Sequence, residues 1–229
     1  MTKILFTNTN CSLNKGSAAQ VISTCETLRE LIPDLDITLI SYNPEHDIEL
    51  CNLYNIKVVS ALWLPLPNIT VFRSIYYAVL DWQINMIWSI LFKLGLHPAF
   101  LKKSMINEYL EADAILDLSG DSYSDGKGGL SLKTNSTILL CVSLKRPIIL
   151  YSQSIGPFRS IFTPLSKKCL NQVSMILVRE EITKYYLEDL GIGTPMHLIA
   201  DSAFVLKPPT HENVKYILLK EKIDIEQRP

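Results

Sequence analysis

Charge of either sign is scarce in this chain. Only 20% of its 229 residues are charged, and Lys+Arg 22 against Asp+Glu 23 leaves a formal net charge of -1. Without a basic field to displace counterions, general nucleic-acid binding is excluded, whereas an anionic small molecule needs only a few local charges. The cysteines, Cys11, Cys25, Cys51, Cys141 and Cys169, are odd in number, scattered, and never spaced as CxxC. That excludes a zinc ribbon and a disulfide framework, and fits reduced thiols in the cytoplasm. His46, His97, His197 and His211 have no metal-ligand spacing and no partnered nucleophile motif, so neither a metal nor a cofactor is expected. The N-terminus turns polar at Thr7-Asn8 and has no signal-peptide core, which again points to the cytoplasm. Long apolar runs are missing too. The longest uncharged one within residues 71–101 covers residues 84–92, short of the roughly 20 needed to span a bilayer.

What is present is a 48% hydrophobic chain arranged as short apolar segments between amphipathic ones. Residues 3–7, 37–40, 56–59, 113–118, 147–152 and 175–178 predict strands. Residues 16–32, 45–54, 131–143, 161–172 and 180–190 predict helices. This alternation implies βαβ units and an α/β fold, a Rossmann-like, mainly parallel sheet with flanking helices. Residues 1–207 form this domain, and the aromatic-rich segment 71–101 interrupts it as a helical insertion. Packing on the sheet is the plain reading of the insertion; the sharper one is an amphipathic surface for a membrane, at the inner face, or for a lipid-linked acceptor. From Pro208-Pro209 a linker leads into residues 214–219, expected to be one more strand and the start of a second domain.

Ligands of parallel sheets bind at the carboxyl ends of the strands. Five polar stretches fall there. Asn14-Lys15-Gly16-Ser17 follows the first strand, and its small residues suit either ligand approach or ordinary helix capping. Asp117-Leu118-Ser119-Gly120-Asp121, running on to Asp125, Gly126, Gly128 and Gly129, suits sugar hydroxyls or a carboxylate base, or is a solvated loop. Tyr151 to Phe158 carries a Gly156-Pro157 turn that would hold Gln153 and Ser154 on the cleft side, with Arg159 close by. Arg179, after the strand 175–178, is the best candidate anion contact, against a plain surface pairing with Glu180 or Glu181. Asp201 precedes a short apolar run, where a cap or a hinge is as reasonable as chemistry.

The order and spacing of these loops resemble the polysaccharide pyruvyl transferase family. The resemblance rests on Asn14/Gly16, Gly120/Asp121/Asp125, Ser154-Ile155-Gly156-Pro157-Phe158, Arg179-Glu180 with Thr183, Leu190-Gly191-Ile192, and Asp201/Ala203/Phe204. It departs at Ser119, where a glycine is usual, and at Ser17, where many members have Asp. It implies the N-terminal half of a two-domain, GT-B-like transferase with the active site between the halves. The reaction implied moves a pyruvyl group from phosphoenolpyruvate to a hydroxyl pair of a glycan or lipid-linked sugar. It further implies Asn14, Gly16, Gly120, Ser154, Gly156 and Arg179 at the substrate, with Arg179 and Asp121 as candidate catalytic groups. The family's second domain carries an Arg-x-His motif that these residues lack, so a second domain, in this or a second chain, is expected to complete the site, and this chain alone is not expected to turn over. A nucleotide-sugar glycosyltransferase and a non-catalytic half-domain are the alternatives.

Overall fold

The computed structural model describes residues 1–61, 73–96, 105–125 and 130–221. The sequence folds as β1 (Thr2–Thr7), α1 (Lys15–Leu31), β2 (Leu35–Ser41), α2 (Pro44–Leu53), β3 (Lys57–Ser60), α3 (Arg73–Lys93) and α4 (Met105–Glu111). It continues through β4 (Ala114–Asp117), α5 (Leu130–Ser143), β5 (Ile148–Gln153), α6 (Thr163–Leu170), β6 (Met175–Val178), α7 (Glu181–Asp189) and β7 (Met196–Leu198). A short 3-10 helix (Ser202–Val205) and α8 (His211–Lys220) follow.

All seven strands join one parallel sheet in the order β3-β2-β1-β4-β5-β6-β7. Its strands are apolar on both faces because helices cover both. Along β1 the side chains alternate accordingly. Ile4 and Phe6 enter the layer beneath α1, with Val21, Cys25 and Ile37. Leu5 enters the opposite layer, with Ile115, Ile138 and Ile148. Strand order reverses between β1 and β4, and such a switch point opens a crevice outside the carboxyl ends.

The helical insertion is α3, packed against α5. Trp88 and Phe92 are buried, Asn85 Nδ2 donates to Ser136 Oγ at 3.1 Å, and Trp82 is 38% exposed. The rest of the expected insertion, residues 71–72 and 97–101, lies outside the described residues, as do Gly126, Gly128 and Gly129. Among the described residues no helix is long and apolar enough to cross a membrane.

One expectation is corrected. Residues 214–219 are helical, inside α8. Their β-branched, apolar character suggests a strand, but no sheet edge receives them, and local signals decide instead. Thr210 Oγ1 accepts from the Asn213 N–H, Glu212 sits in the first turn and Lys220 in the last, each favourable to the helix dipole. The short β7 and α4 had no clear periodicity and are also new.

Candidate active site at the sheet switch point

The site is assembled on a buried carboxylate. Asp117 closes β4, fully buried, and receives Asn8 Nδ2 at 2.6 Å from the end of β1 and Tyr123 Oη at 2.7 Å. Its other oxygen accepts the Ser119 N–H at 2.9 Å. Burial pushes this carboxyl above its ordinary value of 3.8, and the three hydrogen bonds oppose that rise. The same burial, with Asp117 alongside, raises the Tyr123 phenol well above 10.0. Asp117 thereby ties the β1 and β4 loops together on both sides of the switch point.

The next strand is locked to this hub. Gln153 Nε2 donates to the Asp117 carbonyl at 2.8 Å, and Gln153 Oε1 accepts from Ser119 Oγ at 3.0 Å. Gln153 is fully buried, so it braces the crevice floor and does not face the cleft as its sequence position suggests. Just before it, Ser152 adopts a left-handed φ of 58° and the β5–β6 register shifts between Leu150 and Gln153. A bulge of this kind re-aims the following side chains, here Ser154.

Ser154 and Arg179 then meet, as neighbouring strands β5 and β6 require. Arg179 Nε donates to Ser154 Oγ at 2.8 Å, and Arg179 Nη1 donates to Asp201 Oδ2 at 2.6 Å. Ser154 Oγ passes its hydrogen on to Glu180 Oε1 at 2.7 Å, and that oxygen lies 3.5 Å from Arg179 Nε. Asp201 Oδ1 caps the 3-10 helix through the Ala203 N–H at 3.0 Å and takes Gln20 Nε2 at 3.4 Å. The guanidinium is thus ordered from two sides and only 21% exposed. Its side chain is directed to the Ser154 loop, and its pairing with two carboxylates is a feature of the tertiary structure alone.

The remaining candidates hold the frame. Asn14 is the N-cap of α1, its Oδ1 accepting from Gly16 N at 2.8 Å and Ser17 N at 3.2 Å. The capping role is therefore present in the structure. Gly120, at φ +71°, presents its carbonyl to the Ser154 N–H at 2.7 Å. Gly156 has φ +90°, and a Cβ there would overlap the Tyr186 ring, whose hydroxyl accepts the Phe158 N–H at 2.7 Å. Asp121 is exposed, with its N–H on the Ser119 carbonyl. Asp125 accepts from the Arg159 and Ser160 N–H groups and from Ser160 Oγ, joining the β4 loop to the Gly156-Pro157 turn. Arg159 itself is exposed. Sequence reasoning missed Gln20, a helical residue with no motif around it, and left the role of Asp117 open. Among the described residues, no three His, Cys, Asp or Glu side chains are grouped to hold a metal ion.

Solved structures of longer chains share this architecture. The HepE protein of Anabaena, solved with UDP and glucose, is 11% identical with a TM-score of 0.52, over 96% of this chain and 50% of that one. UGT2 of Phytolacca americana, solved with UDP-2-fluoro-glucose and pterostilbene, is 11% identical with a TM-score of 0.50, over 95% of this chain and 57% of that one. A transferase of Siraitia grosvenorii, solved with UDP, gives 11% and 0.50, over 100% of this chain and 56% of that one. At that identity the likeness is one of fold, GT-B-like, and the chain spans about half the length of each. No curated protein matches the sequence. The family model for polysaccharide pyruvyl transferases, however, matches residues 14–228, a span that takes in every crevice loop from Asn14 to Asp201, and the chain belongs to that family.

Proposed function

We propose that the protein takes part in transferring a pyruvyl group from phosphoenolpyruvate to a hydroxyl pair of a glycan, as a cyclic ketal. The family match over residues 14–228 carries this reading, and the convergence of Ser154, Arg179 and Asp201, beyond the carboxyl ends of β5, β6 and β7, with Gln20 of α1 supports it. Protonation of the methylene carbon makes the adjacent carbon electrophilic. One sugar oxygen adds there, the second displaces phosphate, and both hydroxyl protons leave. This chemistry needs an acid, a base and cations for the phosphate and carboxylate. In our reading Asn14, Gly16, Gly120, Ser154, Gly156 and Arg179 form one wall of the substrate crevice, with Asp121 at its lip. A second domain, in the same or another chain, would supply the acid and further cations, because the wall's own guanidinium is already paired.

The test is phosphate release from phosphoenolpyruvate by the chain together with the second domain that completes it, followed by phosphorus NMR, with an oligosaccharide acceptor whose product is checked for a new methyl ketal signal. Release that depends on acceptor supports the reading. Activity with a UDP-sugar but none with phosphoenolpyruvate would assign the protein to glycosyl transfer instead.

A further inference from the structure

Two of the buried cysteines touch. Cys51 Sγ lies 3.5 Å from Cys11 Sγ, although the residues are 40 positions apart in the chain. Cys11 belongs to the loop that joins β1 to α1, and Cys51 to the last turn of α2. Asp47 stands one turn before Cys51, on the same face of α2, and reaches the same loop. Its Oδ1 accepts the Cys11 N–H at 3.0 Å, the Ser12 N–H at 2.8 Å and the Ser12 hydroxyl at 2.5 Å. One face of α2 therefore clamps the loop twice, by a carboxylate on its backbone and by a sulfur on its sulfur.

The clamp does not satisfy the whole loop. Thr9 Oγ1 and Asn10 Oδ1 are buried and make no hydrogen bond, and Leu13 is 65% exposed. A segment with unpaired polar atoms and an exposed apolar side chain opens locally at less cost than the strands beside it. The other three cysteines are placed differently. Cys25 Sγ donates to the Tyr54 carbonyl and Cys169 Sγ to the Asn135 carbonyl, both at 3.8 Å, and Cys141 packs in the opposite layer of the core. The sulfur contact also makes its two members chemically unequal. A hydrogen bond from Cys11 holds the Cys51 thiol below its ordinary 9.0, against burial and the Asp47 carboxylate, while the same bond and burial raise Cys11. Cys51 is thus the sulfur that ionises first, and the thiolate is the form that attacks an oxidant.

From the sulfur contact and the clamp around it we propose that Cys11 and Cys51 are a redox pair, closed to a disulfide by hydrogen peroxide and reopened by a small thiol, and that closure fixes the β1–α1 loop on α2. The Cys51 thiolate attacks one peroxide oxygen, the O–O bond breaks, and the departing hydroxide takes up the Cys51 proton as water. Cys51 is then a sulfenic acid. Cys11 attacks its sulfur, the S–O bond breaks, and hydroxide leaves with the Cys11 proton as a second water. Two thiols and one peroxide give one disulfide and two waters. The sulfurs close from 3.5 Å to about 2.05 Å, a shift that the loop supplies as it opens and resettles. The same loop carries Asn8, bonded to Asp117, and Asn14, the N-cap of α1, so the bridge ties α2 to both.

In the test, reduced protein freed of reductant is treated with hydrogen peroxide, denatured with N-ethylmaleimide present, and weighed intact. Three labels in place of five are expected, and all five when dithiothreitol precedes labelling. Trypsin cuts after Lys3, Lys15, Arg29 and Lys57, so Cys11, Cys25 and Cys51 fall in separate peptides. The bridge is expected to join residues 4–15 to residues 30–57. A cross-link that fits the native fold is also expected to raise the urea midpoint by about 1 M. Five labels after peroxide, sulfinic acid at Cys51 with no bridge, or a bridge that includes residues 16–29 overturns the proposal. So does an unchanged or lower midpoint, the mark of a bridge that the native fold does not accommodate. Cys11→Ser and Cys51→Ser are each expected to keep all four remaining labels after peroxide, whereas Cys25→Ser loses two of its four. The peptide map of the wild-type protein decides the matter even where a variant does not fold.

Discussion

Arg179→Ala is the substitution on which the site stands or falls. The guanidinium donates to Asp201 at 2.6 Å and to Ser154 at 2.8 Å, with the paired side chains 21% and 23% exposed. A charge-assisted hydrogen bond in such a setting contributes about 1.5–3 kcal/mol, and partial exposure places this pair toward the lower end. Folding stability is therefore expected to fall by about 1–2 kcal/mol, measured by urea denaturation. Freed of its partner, Asp201 keeps only the Ala203 N–H and Gln20, and Ser154 loses the donor that orients its hydroxyl. In the enzyme completed by its second domain, turnover dependent on phosphoenolpyruvate and acceptor is then expected to drop roughly ten- to a hundredfold. Arg179→Lys is expected to recover little of it, since one ammonium cannot bond Ser154 and Asp201 together as the planar fork does. A double-mutant cycle with Asp201→Ala isolates the pair and is expected to give a coupling of about 1–2 kcal/mol. The competing account is a surface ion pair worth about 0–1 kcal/mol with no bearing on substrate. Wild-type kinetics in the Ala variant together with no measurable coupling would refute the assignment.

Gly156→Ala is expected to cost about 2 kcal/mol or more in urea denaturation, because φ +90° is strained for any side chain and the new methyl meets the Tyr186 ring; an unchanged midpoint would contradict this. Asp125 is held below its ordinary 3.8 chiefly by the Arg159 N–H, with the Ser160 N–H and hydroxyl adding to it. The stability it adds is present above 3.8 and is lost as pH falls through its lower folded value, so the Ser160 amide shift is expected to titrate below 3.8 and to lose that step in Asp125→Asn. All five cysteines are free and buried, with Cys169 pushed up to about 12 by burial, so an aromatic disulfide reagent is expected to label none in the native protein and all five in denaturant.

Much of the fold follows from local sequence. Both-faced apolar runs such as Ile4-Leu5-Phe6 and Met175–Val178 have no stable place except inside a covered parallel sheet, and the helices between them close the βαβ pattern. The crevice loops were legible because chemistry-bearing residues follow those strands at spacings that a family shares. Where local signals were weak or conflicted, the sequence did not decide. Residues 214–219 have strand-like side chains, but the Thr210 cap and the want of a sheet edge make them helical. The contacts within the crevice were decided only by the tertiary structure. Gln153 reads as a cleft-side residue beside a turn, yet the pairing of β5 with β4 brings it against Asp117 and buries it. Arg179 reads as a cation awaiting an anion, and nothing in the residues around it in sequence reveals Asp201, 22 positions away, whose carboxylate already holds it. Pairings of that range depend on how far apart the chain is returned by each crossover. That distance is a property of the assembled sheet and not of any local pattern.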